Sequence, residues 1–194
     1  LPNMAVVVAA DAVEVAKLVP AVAEWDGPVY LRVSRAEVPT VCAPEQQVAI
    51  GKGTVLRPGG DVTLIATGVL VHRTLAAAEA LGTEGMQARV LAVHTLKPLD
   101  GELVAAAAAK TGAVVTVEEH SIVGGLGGAV AEFLGAEVPV PVVRVGLRDC
   151  FAETGPYEAL LDRYGMGVAD IVAAARQAVD RKTRQREISA TASA

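Results

Sequence analysis

Aromatic residues are scarce in this chain, at 3%, and only two cysteines occur among its 194 residues. Cys42 and Cys150 stand far apart without metal-ligand spacing, which indicates neither a zinc site nor a disulfide framework and makes a reducing, cytoplasmic setting the default. There is no excess of positive charge. The formal net charge of −5, with charged residues at 20%, offers no basic face for a phosphate backbone and argues against nucleic-acid binding. No apolar run approaches the length of a membrane span. The opening Leu1-Pro2-Asn3-Met4 resembles neither a signal nor a transit peptide.

What the chain does have is Val and Ala in abundance. Hydrophobic residues make up 52%, and short Val-rich runs alternate with Ala-rich stretches, the pattern of buried parallel strands and their covering helices. Met4 to Ala10 reads as a buried strand, Asp11 as a helix N-cap with Glu14 at capping-box spacing, and Ala12 to Trp25 as a helix. Asp26-Gly27-Pro28 breaks that helix, and Val29 to Ser34 returns as a strand. One βαβ unit cannot bury both faces of a sheet, so residues 1–42 are expected to be the remnant of a larger α/β domain, with part of it upstream.

Residues 43–59 read as a linker carrying Pro44 and a first hairpin strand, Val48 to Leu56, which turns through Arg57-Pro58-Gly59-Gly60 into Asp61 to Ala66. Helices then alternate with strands at Ala88–Val93, Ala113–Val117 and Val140–Val145, and two helices follow, near Tyr157–Tyr164 and Val168–Val179. Residues 60–180 are therefore expected to form an α/β domain, a mostly parallel, doubly wound sheet with helices on both faces. Residues 181–194 lack an apolar stripe and read as a disordered tail.

Glu118-Glu119-His120-Ser121-Ile122-Val123-Gly124-Gly125-Leu126-Gly127-Gly128 stands at the carboxyl end of a strand and opens a helix, where sites form in open α/β sheets. It is no dinucleotide fingerprint, because Val130 replaces the third glycine, and no P-loop, because no Lys-Ser/Thr pair follows. Two readings are open for His120, Ser121, Gly124, Gly125, Gly127 and Gly128: an anion site at exposed helix amides, or a tight turn packed against a neighbouring subunit. Glu118 and Glu119 adjoin in a strand and so point to opposite faces, which argues against a paired-carboxylate site. His72, His94 and His120 have no metal-ligand spacing; hydrogen-bonded structural roles suit His72 and His94. Arg35, just after its strand, is placed to clamp a phosphate or simply to be solvated.

Taken together, these segments resemble the transketolase family. Pro2-Asn3-Met4, Ala10-Asp11-Ala12-Val13-Glu14 and Asp26 to Arg35 look like the end of its pyrimidine-binding domain. Val62 to Gly68, Val117 to Gly128 and Phe151-Ala152-Glu153-Thr154-Gly155 look like its C-terminal domain. The resemblance implies two-carbon ketol transfer between sugar phosphates, with thiamine diphosphate and a divalent metal (Mg) held between domains of an oligomer. It places the metal and diphosphate ligands, and the catalytic Glu, His and Asp, outside this chain, in an N-terminal subunit or in missing domains. No catalytic residue and no metal ligand is expected here. Arg35 matches the family's substrate-phosphate arginine, although Val33 replaces the usual leucine, and the glycine turn becomes more an interface than an active site. Alternatives are a non-catalytic dimerisation or regulatory anion-binding module, and the corresponding section of a 2-oxo-acid dehydrogenase beta subunit or deoxyxylulose-phosphate synthase.

Overall fold

Each Val-rich run becomes a strand and each Ala-rich run a helix in the computed structural model, which describes residues 1–192. The first unit is β1 (Ala5–Val8), α1 (Ala12–Ala23) and β2 (Val29–Arg32), with β2 parallel to β1. Asp11 caps α1 by accepting the Glu14 amide at 2.8 Å. Glu14 reaches back to the amide of Ala10 at 2.7 Å, one residue before the cap itself, so the capping box is offset by one.

Asp11 and Lys17 also hold the chain that follows β2. The second carboxylate oxygen of Asp11 accepts the amides of Val41 and Cys42 at 2.6 and 2.7 Å. Lys17 Nζ donates to the carbonyls of Ala43 and Gln46 at 2.6 and 2.7 Å. The stretch expected to be a linker is thus laid against the first helix by an acid at its N-cap and a lysine two turns on.

The second sheet comprises β3 (Thr54–Arg57), β4 (Val62–Ala66), β5 (Ala88–Ala92), β7 (Val114–Ser121) and β8 (Val142–Leu147), in the order β3-β5-β4-β7-β8. The expected hairpin of β3 with β4 does not form. Arg57-Pro58-Gly59-Gly60 turns the chain, but β5 inserts between the two strands, antiparallel to β3 and parallel to β4. Gly59 permits this: a Cβ there would overlap the Ala88–Arg89 backbone of β5. The other pairings, β4 with β7 and β7 with β8, are parallel.

Helices α2 (Val71–Thr83, after a 3-10 turn at Gly68–Leu70) and α6 (Val168–Ala192) cover one face of this sheet, and α3 (Gly101–Thr111) and α4 (Leu126–Glu137) cover the other. Every residue of β4 is buried, as a central strand between helical layers requires. Helix α5 (Tyr157–Arg163) is tied to α2 by Arg73, which donates to Asp162 at 2.6 Å and forms an ion pair with Glu158.

Two further features depart from the sequence expectations. Strand β6 (Thr95–Lys97), not foreseen, leaves the second unit and pairs antiparallel with β1, giving a three-stranded sheet β2-β1-β6. Of the expected disordered tail at 181–194, residues 193–194 lie outside the described residues, and the stretch 181–192 is helical as part of α6. Lys182 explains its first turn, because Nζ donates to the carbonyls of Thr111 and Asp61 at 2.8 and 3.0 Å and pins the helix to the end of the sheet. Among the described residues no helix is long and apolar enough to cross a membrane.

Candidate functional site

The carboxyl ends of β1, β2, β4 and β7 converge where the two sheets meet. β2 ends at Arg32, and the chain leaves the sheet through the exposed residues Val33, Ser34 and Arg35. Ser34 Oγ accepts the Ala36 amide at 3.0 Å and turns the chain. Ser34 and Ala36, the neighbours of Arg35, line a cleft of about 490 Å³ whose other walls include Ala10, Asp11, Glu37 and Val69. Arg35 itself does not line the cleft; it is exposed and makes no hydrogen bond or ion pair among the described residues, so its guanidinium is free to meet an anion.

Beneath this turn Arg32 spans the two sheets. Its Nη1 donates to the Glu119 carbonyl at 2.7 Å and its Nη2 to Glu119 Oε2 at 2.9 Å. The neighbouring Thr67 hydroxyl, at the end of β4, is buried and has no hydrogen-bond partner among the described residues; it shares a small cavity with Arg32, Ser34 and Glu119. Gly68 follows at φ +60°, and a Cβ there would come within 2.9 Å of Val8 Cγ1, so glycine lets the β4 end approach β1 closely. Burial pushes the Tyr157 phenol up to about 12, with the carboxylates of Glu119 and Glu158 acting in the same direction.

The glycine turn resolves differently from its anion reading. Glu118 is fully buried and accepts the amides of Leu126 and Gly127, each at 2.7 Å, at the start of α4. Burial pushes its carboxyl up, opposed by those two amides. The amides of Leu126 and Gly127 are therefore already held by an internal carboxylate and are not free for an external anion. A Cβ on Gly125 would overlap Glu118 Oε2, which is why the turn needs glycine there. Gly124 and Gly128 face open space, His120 and Val123 are exposed, and Ser121 Oγ accepts the Val123 amide at 3.1 Å. Phe151, on the loop after β8, is wholly exposed.

Glu118 and Glu119 serve opposite faces, as the strand period requires: one caps α4, the other holds Arg32. His72 Nδ1 lies 2.6 Å from the Val69 carbonyl, and His94 Nδ1 lies 2.8 Å from Thr95 Oγ1. Among the described residues there is no group of three or more His, Cys, Asp or Glu side chains that could hold a metal ion. The described residues thus do not fit a divalent-metal site made of such side chains. The sequence reading did not single out Arg32 or Glu119 as partners; 87 residues separate them, and no local pattern carries the pairing.

Residues 51–171 match the family model of the transketolase C-terminal domain. The chain is 44% identical over 182 residues to the 6-deoxy-6-sulfo-D-fructose transketolase subunit SqwH of Clostridium sp. (strain MSTE9), a match covering 94% of this chain and 56% of that protein. It is 38% identical over 179 residues to 1-deoxy-D-xylulose-5-phosphate synthase of Syntrophotalea carbinolica, covering 91% of this chain and 28% of that one. A solved structure described as a split gene transketolase, inactive beta4 tetramer, superimposes with a TM-score of 0.91 at 49% identity, over 94% of this chain and 60% of that chain. The chain spans about half the length of the curated relative it resembles at 44% identity.

Proposed function

The chain belongs to the transketolase family, and from that premise we propose that it works as the C-terminal part of a split, thiamine-diphosphate-dependent transketolase. In this reading it moves a two-carbon ketol unit between sugar phosphates in the cytoplasm, only in company with an N-terminal subunit or domains that supply the cofactor and metal ligands. Thiamine diphosphate supplies the carbanion chemistry when bound in the assembly; this chain supplies recognition and scaffold.

The observation that carries the proposal is the position of Arg35. It stands exposed and unpaired among the described residues just past the carboxyl end of β2, where open α/β sheets bind ligands, between two residues, Ser34 and Ala36, that line a cleft. A guanidinium there can take a substrate phosphate through two parallel N–H bonds. Asp11, buried at the cleft wall, spends its carboxylate on three backbone amides and so does not compete for the guanidinium. The glycine turn at 124–128, with exposed Val123 after β7 and exposed Phe151 on the loop after the adjacent β8, serves as a subunit interface, a role supported by the tetramer named for the 49% identical structure.

Calorimetry tests the division of labour. Thiamine diphosphate with Mg gives no heat of binding with the isolated chain and a saturable signal once an N-terminal subunit is present. Saturable binding by the chain alone contradicts the proposal.

A further inference from the structure

We propose that Arg32 and Glu119 are positioning residues that hold Arg35 at the substrate phosphate. This rests on the reading of Arg35 given above. Arg35 lies on an exposed stretch that makes few contacts of its own. Its place is set by the nearest fixed points on either side: Arg32, three residues before, and Val41 and Cys42, whose amides Asp11 holds. The second anchor sits within the same unit as β2, while the first reaches across to β7.

The Arg32 anchor is directional. One planar guanidinium donates to both the backbone oxygen and the side-chain oxygen of the same residue, at 2.7 and 2.9 Å, which fixes the angle as well as the distance between β2 and β7. Val33 and Ser34 then extend beyond the sheet edge, so a tilt of the β2 end displaces Arg35 by a lever of three residues. Glu119 is itself placed by its neighbour: Glu118 is locked to the start of α4, and the alternation of the strand sends Glu119 the other way, toward β2. A local signal for this was absent because the meeting of the two sheets, not sequence distance, brings the end of β2 against β7.

Arg32→Met tests the inference in the enzyme completed with its N-terminal subunit, using a phosphorylated and an unphosphorylated ketose donor. The expected result is a KM for the phosphorylated donor raised about tenfold, with kcat within about twofold and the unphosphorylated donor unaffected. Arg32→Met combined with Arg35→Ala is then no worse than Arg35→Ala alone, because both remove the same contact. Arg32→Lys, which keeps the charge and loses the fork, falls between. Equal losses on the two donors, or full additivity with Arg35→Ala, overturn the positioning role. If Arg35→Ala discriminates between the donors and Arg32→Met does not, the latch alone fails; if Arg35→Ala does not discriminate, the phosphate reading fails first. Should Arg32→Met not fold, Glu119→Gln, which keeps the carbonyl contact, carries the same double-variant comparison, and additivity there overturns the inference.

Discussion

Arg35 and Gly125 show how single residues divide the work. Arg35 has nothing to hold in the described structure, so replacing it removes only what an external ligand would use. Arg35→Ala is expected to cost phosphorylated substrates about 1.5–3 kcal/mol, on the order of ten- to a hundredfold in kcat/KM, with unphosphorylated ones unchanged; steady-state kinetics on both donors checks it. Gly125 is the opposite case, because its missing side chain makes room for the Glu118 carboxylate. Gly125→Ala is expected to push that carboxylate off the Leu126 and Gly127 amides and lower stability by about 2–4 kcal/mol, read by urea denaturation. Sequence patterning marked both positions, Arg35 by its place after a strand and Gly125 by its place before a helix. It did not reveal that Glu118 fills the helix start, since a carboxylate folding back over eight residues leaves no periodic trace.

At the level of elements, the helices and most strands were legible because their signals are local: Asp11 as a cap, Asp26-Gly27-Pro28 as a stop, the Ala run of α3 as a helix former. Pairing was not. The turn at Arg57-Pro58-Gly59-Gly60 suits a hairpin, yet burial of β5 between β3 and β4 prevails, since a central strand hydrogen-bonds on both edges. Strand β6 was invisible for the same reason: three residues acquire strand geometry only by pairing with β1, whose free edge lies in the other unit. Helix α6 outran its apolar stripe because Lys182 reaches two carbonyls that would otherwise go unpaired by protein. Lys182→Met is expected to cost about 1–2 kcal/mol and to speed amide exchange in the turns that follow it, as measured by hydrogen–deuterium exchange; unchanged exchange would mean the helix end stands on its own propensity.

For the whole molecule, two buried ionisable groups set opposing pH responses. Burial pushes the Glu14 carboxyl up to about 7, and burial pulls the His94 imidazole down to about 4. Unfolded, the two titrate near 4.3 and 6.5, roughly. The Glu14 contribution is fully present below its unfolded value and is lost as pH rises through about 7. The His94 contribution is fully present above its unfolded value and is lost as pH falls through about 4. Between about pH 4.5 and 6.5 their slopes, each about 1.4 kcal/mol per pH unit, cancel. Relative to the parent protein, Glu14→Gln should therefore gain stability with rising pH across that window, and His94→Asn should lose it; urea midpoints measured at several pH values separate the two.

The five-stranded sheet is covered on both faces, whereas the three-stranded sheet borrows β6 and offers no metal-binding cluster among the described residues. On the function proposed above, the rest of the assembly supplies the chemistry; the chain spans 56% of its 44% identical relative and 60% of the 49% identical structure. The most direct test is ketol transfer from a phosphorylated ketose donor, with thiamine diphosphate and Mg present, by this chain alone, by an N-terminal transketolase subunit alone, and by the two mixed. The account predicts turnover only in the mixture, and turnover that falls on titration with the Arg35→Ala chain in place of the parent; transfer by this chain alone, or a mixture as inert as its parts, would contradict it.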